Sequence, residues 1–172
     1  MTLFITENDI KKWTPASYNV DAKELFSHSV DAQTIKLQEL LGSAFYNELY
    51  TNFLDNNTSA EENTLITDYI KPALVWRSLH YAIPFLSNKI VNKGLIQYTD
   101  ENGNQSSRGE MGYLRNIINE RATWRENIMV KFIYQNINDY PTFEENMCNN
   151  KELINPSKKN NKQNIIGGIY FR

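Results

Sequence analysis

Cysteine and histidine are nearly missing from this chain, and the usual catalytic signatures are missing altogether. A single cysteine, Cys148, excludes an intrachain disulfide, and with no His-Asp or ligand company it reads as a residue without a chemical role. The two histidines, His28 and His80, are far apart in sequence, and a lone histidine on a helix reads as structural; zinc would need several converging ligands. There is no GxxxxGK[ST], GxGxxG, GxSxG, HExxH or CxxC pattern. Positive charge is not in excess: the formal net charge is -2 and the pI about 5.7, which argues against wrapping nucleic acid through bulk charge. The opening MTLFITEND has no basic region followed by a long apolar run, so no signal peptide is expected. The strongest apolar segment, 69–94, is interrupted by Pro84 and has polar flanks, so no membrane span is expected. These absences predict a soluble protein made in a reducing compartment, not an enzyme, with no cofactor and no metal.

What is present is material for a core. In 172 residues, 41% are hydrophobic, and ten Tyr, eight Phe and three Trp supply large burying side chains for one domain. Leu3 to Ile5 reads as an extended lead-in, and Thr6 as the cap of a short helix ending at Trp13. Asp21 with Glu24 reads as a capping box for a helix to about Leu41, stopped by Gly42, with an imperfect stripe of Leu25, Phe26, Val30, Ile35, Leu37, Leu40 and Leu41. Ser43 reads as the cap of a third helix that Asp55-Asn56-Asn57 ends. Ser59 with Glu62 is another capping box, and its apolar pattern carries through Pro72, with a kink or offset there, to Pro84, which is expected to end the helix. This piece, YIKPALVWRSLHYAIPFLSNKIVNKG, is apolar nearly all round and must be covered nearly all round. Leu74, Val75, Leu79, Ala82 and Ile83 read as core, with Arg77 and His80 on any exposed side.

Lys89 to Tyr98 reads as two short strands about Asn92-Lys93-Gly94, and Thr99 to Ser107 as a polar loop. A last long helix runs from about Ser107 or Arg108 to Asn136, with Leu114, Ile117, Ile118, Arg121, Trp124, Ile128, Phe132 and Ile133 as its stripe. The domain is expected to span 1–137. From 138 to 172 the pattern predicts an extended arm, Asn/Lys-rich, whose end IIGGIYFR carries Ile165, Ile166, Ile169, Tyr170 and Phe171. An apolar end on a polar tether is expected to dock on something. The fold class is therefore all-α: a bundle of about four main helices with a short β-hairpin and loop insertion and an extended C-terminal arm.

Candidate chemistry is thin. Asp100, Asn102 and Asn104 alternate like the start of a calcium loop, but Gln105 and Met111 stand where Gly and Glu are needed, so a solvated loop is the better reading. Glu61-Glu62 and Glu144-Glu145 are adjacent pairs that diverge on a helix. Arg108, Arg115, Arg121 and Arg125 lie on the last helix, where they could meet phosphate. Glu110, Glu120 and Glu126 are interleaved, and a salt-bridged solvent face is the blander reading. A helical DNA-binding regulator is the alternative that these arginines motivate.

The order of the pieces LFITENDIKKWTP, NVD, LQELLGSAFYNELY, YIKPALVWRSLHYAIPFL, KIVNKGLI and YLRNIINERA, over about residues 3–137, resembles the small head-tail connector (adaptor, or ring) proteins of tailed bacteriophages, most closely those of crAss-like phages. The Asn/Lys arm and IIGGIYFR have no counterpart in that pattern. The resemblance implies a helical bundle that assembles with itself into a dodecameric ring beneath the portal. Such a ring extends the DNA channel and docks a further connector or tail protein. It implies that Lys93, Gly94, Tyr98, Asp100, Asn102 and Asn104 reach a neighbouring ring or line the channel, and that Arg108, Arg115, Arg121 and Arg125 are channel or interface residues. It implies that the end segment, through Ile165, Ile166, Ile169, Tyr170 and Phe171, binds the portal or a neighbouring subunit. Contact with packaged DNA would be non-specific proximity, and the location is the virion at the head-tail junction, after synthesis in the host cytoplasm.

Overall fold

Two reciprocal caps fix where helices begin. The Thr6 hydroxyl accepts from the Asp9 backbone N–H while the Asp9 carboxylate accepts from the Thr6 N–H at 2.8 Å. Ser59 and Glu62 make the same exchange. Each satisfies two donors that a helix start leaves without partners. The computed structural model of the chain describes residues 2–14, 22–86, 88–91, 94–97 and 108–143. Its elements are α1 (Glu7–Trp13), α2 (Ala22–Asp31), a π-helical turn (Ala32–Leu37), α3 (Gln38–Leu41), α4 (Ser43–Leu54), α5 (Ala60–Thr64), a second π-helical turn (Leu65–Ile70), α6 (Lys71–Leu86), β1 (Asn88–Val91), β2 (Gly94–Gln97), α7 (Arg108–Gln135) and a 3-10 turn (Ile137–Asp139). The domain is helical. α2 and α3 are joined by the first π turn into one rod, and α5 and α6 by the second. β1 and β2 pair antiparallel, Asn88 opposite Gln97 and Val91 opposite Gly94.

The π turns explain the imperfect stripes. A π turn closes i→i+5 bonds and so lets residues five apart share a face. Leu65 and Ile70 are both fully buried across the second turn, and Ala32 and Leu37 across the first. Across the first turn a strict 3.6-residue reading fails: Ile35, expected in the stripe, is exposed and Gln33 is buried; before it, on regular α2, Phe26 is also exposed, while Ser29 is buried one turn after Leu25. The offset expected at Pro72 takes this form, with the Lys71 N–H reaching back to the Ile66 carbonyl just before the proline. Pro84 does not end the helix as expected. It lies inside α6, which runs two residues further, because a proline in the last turn forfeits one donor without breaking the turns before it. Ser43 does not cap α4 either: the cap is Gly42, at φ 74°, and the Ser43 hydroxyl accepts from the Gln38 side chain at 3.1 Å. Only a residue without Cβ takes that backbone conformation freely.

α6 is buried at every position from Pro72 to Leu79 and is covered by α7 on one side and by α1, α2 and the first π turn on the other. Leu74, Val75, Leu79, Ala82 and Ile83 are core. The main cluster joins the lead-in (Phe4, Ile5), α1 to α4, the second π turn, α6 and the end of α7; a second, smaller cluster holds Trp76, Leu79, Ile83, Ile118 and Ala122. The α7 stripe differs from the expected one. Ile118, Ala122, Met129, Val130 and Ile133 are buried, whereas Leu114 is 42% exposed and Trp124 57%. The core also continues past residue 137, where the domain was expected to end. Tyr140 and Phe143 are buried against Phe45, and the Tyr140 hydroxyl donates to the Glu61 carbonyl at 3.0 Å. Burial, chiefly, pushes the Tyr140 hydroxyl up to about 12, so it stays a donor at any ordinary pH. The Asp21–Glu24 capping box and the segment from residue 144 onward lie outside the described residues and side chains.

Gln33, fully buried on the first π turn, ties the lead-in to the body. Its Oε1 accepts from the Phe4 N–H at 2.8 Å and its Nε2 donates to the Tyr46 hydroxyl at 3.3 Å. Gln33→Leu leaves that N–H buried without a partner and is expected to destabilise the domain by about 1–3 kcal/mol in urea unfolding, with faster hydrogen exchange at Phe4. Unchanged stability would show the lead-in to be held by apolar contacts alone.

Candidate functional site

The strongest polar constellation inside the domain is centred on Arg77. Mid-helix on α6, its guanidinium enters the α6–α7 seam. Nε donates to Glu126 Oε1 at 2.7 Å and Nη2 to Oε2 at 2.8 Å, a bidentate pair whose side chains are 8% and 6% exposed. Nη1 donates to Asn119 Oδ1 at 2.7 Å, and Nη2 also reaches the Thr123 hydroxyl at 3.3 Å. His80 Nδ1 lies 3.4 Å from Nη1, and the Tyr81 ring is 5.8 Å from the guanidinium carbon. Burial alone would lower the Arg77 pKa, but the hydrogen bonds and charge of Glu126 more than offset this and hold it above its ordinary value. His80 is pushed down to about 4, first by burial and then by the positive charges of Arg77 and Arg115, so near neutral pH it is uncharged.

This overturns the expectation that Arg77 sits on an exposed side and that Glu126 belongs to a solvated, salt-bridged face. Both are buried because each satisfies the other: a desolvated carboxylate is tolerated only with its charge and lone pairs met. A signal was available in the sequence. Glu126 stands four residues after Ala122 and three and four before Met129 and Val130, so it lies on the buried face. Removing one partner leaves an uncompensated buried charge. Glu126→Leu is therefore expected to cost about 3–5 kcal/mol, and Arg77→Met/Glu126→Leu to recover much of it. A thermal-melt double-mutant cycle showing additive losses would contradict that coupling.

The second constellation is on the surface of the same seam. The Arg121 guanidinium lies over the Trp76 ring and that of Arg125 over the Trp124 ring, each 5.0 Å from the ring centroid. These four residues line an open cleft of about 200 Å³. Among the described residues neither arginine is in an ion pair. Arg115 is exposed nearby. Arg108 begins α7, and its side chain is outside the described set. Trp76 was missed because its burial comes from α7, not from its own helix.

A third feature, a cleft of about 400 Å³ between the lead-in, α1 and α2, is lined by Leu3, Ile5, Ile10, Leu25 and Phe26 together with Thr6, Glu7 and Ser29. Gly94 opens β2. Lys93, Tyr98, Asp100, Asn102, Asn104, Cys148 and the terminal Ile165, Ile166, Ile169, Tyr170 and Phe171 lie outside the described residues. Among the described residues no group of His, Cys, Asp and Glu is placed to hold a metal ion, and no helix is long and apolar enough to cross a membrane.

The fold and site define a helical domain whose buried charges bind its own helices together and whose α7 presents paired arginine and tryptophan outward. The chain belongs to a family of unknown function (DUF6712), whose model matches residues 37–152. No curated protein and no solved structure matches the chain.

The His80 environment sets a pH dependence. Its folded pKa lies below the unfolded value of 6.5, so the unfolded chain binds the extra proton first; stability is full above about pH 6.5 and falls as pH drops toward about 4. His80→Asn is expected to flatten the melting-temperature profile across that window. An unchanged slope would assign the acid-side loss to carboxylates alone.

Proposed function

We propose that the chain is a structural virion protein of a tailed bacteriophage, a head-tail connector that assembles with copies of itself into a dodecameric ring between portal and tail. The order of segments resembling that family is the first support. The observation that carries the reading is the commitment of Arg77, Glu126, Asn119 and Thr123 to one another. Chemistry at a substrate needs polar groups aimed at a cavity, whereas these serve to hold α6 against α7. The result is a rigid body suited to bearing load, not to turnover. On this reading the protein is not an enzyme and needs no cofactor.

The β1–β2 pair, with Lys93, Gly94, Tyr98, Asp100, Asn102 and Asn104, extends from the body toward a neighbouring ring or the channel. Ile165, Ile166, Ile169, Tyr170 and Phe171 anchor the end of the chain on the portal or an adjacent subunit, returning through burial the entropy lost when the arm orders. The protein works at the head-tail junction of the virion, close to packaged DNA but without sequence-specific contact, and docks a further connector or tail protein on its other face.

A second reading, a DNA-binding regulator, is favoured by the exposed Arg121 and the half-buried Arg125 beside it. The two separate by experiment. A ring protein is expected to give a multi-copy mass by light scattering or within particles, and deletion of 165–172 is expected to weaken its attachment to the portal. A single-copy protein that shifts duplex DNA on a gel at low salt would establish the regulator instead.

A further inference from the structure

We infer that the Trp76–Arg121–Trp124–Arg125 cleft docks a second copy of this chain and receives the acidic corner formed by α4 and α5 of that copy. The inference rests on the ring reading and supplies its subunit contact. Arg121 and Arg125 are one turn apart on α7, a like-charge spacing that disfavours a helix in isolation. Among the described residues no carboxylate pairs with either. Glu126, next to Arg125 but on the buried face of α7, is committed to Arg77. Each guanidinium instead lies over a tryptophan ring, and Trp124 is left 57% exposed beside its arginine. Tryptophan and arginine at the centre of a patch are the residue types that dominate protein interfaces.

The complementary surface is in the same chain. Residues 37–70 contain Glu39, Glu48, Asp55, Glu61, Glu62 and Asp68 and not one lysine or arginine. Glu39 is paired with Lys36 and Glu62 is engaged by Ser59 and Asn52. Glu48, Asp55, Glu61 and Asp68 are exposed, with no basic partner among the described residues. The Asn52 to Glu62 bond, 2.8 Å, holds the end of α4, which carries Glu48 and ends at Asp55, against the start of α5, which carries Glu61. Asp55 caps the C-terminal end of α4, where the helix dipole disfavours a negative charge.

The corner cannot fill the cleft of its own subunit. Glu61 and Trp76 are on one continuous rod, about 22 Å apart at a rise of 1.5 Å per residue. A contact between two different patches is heterologous, and repetition of such a contact generates a closed ring or an open filament. A cleft of about 200 Å³ suits carboxylate-bearing side chains rather than a whole element.

The test uses the full chain carrying Glu120→p-benzoylphenylalanine, which places a photo-crosslinker one turn before Trp124 while keeping the cleft intact. Irradiation where light scattering reads more than one copy is expected to join copies through residues 48–68. In parallel, Arg121→Glu/Arg125→Glu is expected to raise the concentration for half-assembly at least about tenfold, and mixing it with a Glu48→Lys/Asp55→Lys chain to restore assembly. Circular dichroism melts confirm that each variant folds. Assembly with crosslinks elsewhere, or without rescue by the reversed pair, overturns the contact and leaves the ring reading standing. A chain that stays single-copy at every concentration overturns both, and crosslinking of that single copy to added duplex DNA assigns the cleft to nucleic acid.

Discussion

Everything in this domain is arranged around one desolvated ion pair. Arg77 and Glu126 are both removed from water, and neither charge is tolerable there unless the other is met in bidentate geometry. That requirement fixes the register of α6 against α7 far more narrowly than apolar contact does, since leucines can slide by a fraction of a turn and a guanidinium–carboxylate fork cannot. With the register set, Tyr69 stacks on Phe132 at one end of the seam and Ile83 meets Ile118 at the other, so the two helices run antiparallel.

The rest of the body packs onto that seam and is tied to it by a few directional bonds. Gln33 holds the lead-in through the Phe4 N–H, and Tyr140 holds the segment after α7 through the Glu61 carbonyl. The two π turns bring these pieces into phase. Without the i→i+5 spacing, Leu65 and Ile70 would not share a face, and the rod that includes α6 would present part of its apolar side to water. Glu126, on the buried face of α7, is committed to Arg77. Arg121 and Arg125, on the other side of the same helix, have no ion pair among the described residues, and that is where the inferred ring contact is placed.

Much of this was legible in the sequence because it is local. The caps at Thr6 and Ser59, the stop at Gly42 and the burial of Leu74, Val75, Leu79, Ala82 and Ile83 follow from side-chain chemistry within a few residues. Ile35 was misplaced because a π turn leaves no mark in composition, and Pro84 because the cost of proline depends on how much helix follows it. The candidate site was less legible. Arg121 and Arg125 were identified as a shared face, but Trp76 beneath Arg121 comes from another helix, and Glu126 looked like one more solvated charge.

By itself the sequence determined the helical class, most helix starts, the central place of α6 and the absence of lysine and arginine from 37–70. Those depend on periodicity, capping and charge count, which act over one or two turns. Only the tertiary structure decided which charges are inside. Arg77 and Glu126 are 49 residues apart, and burial of either is permitted solely by the partner that folding brings to it. That one pairing separates a buried clamp from an exposed arginine–tryptophan cleft on the same helix.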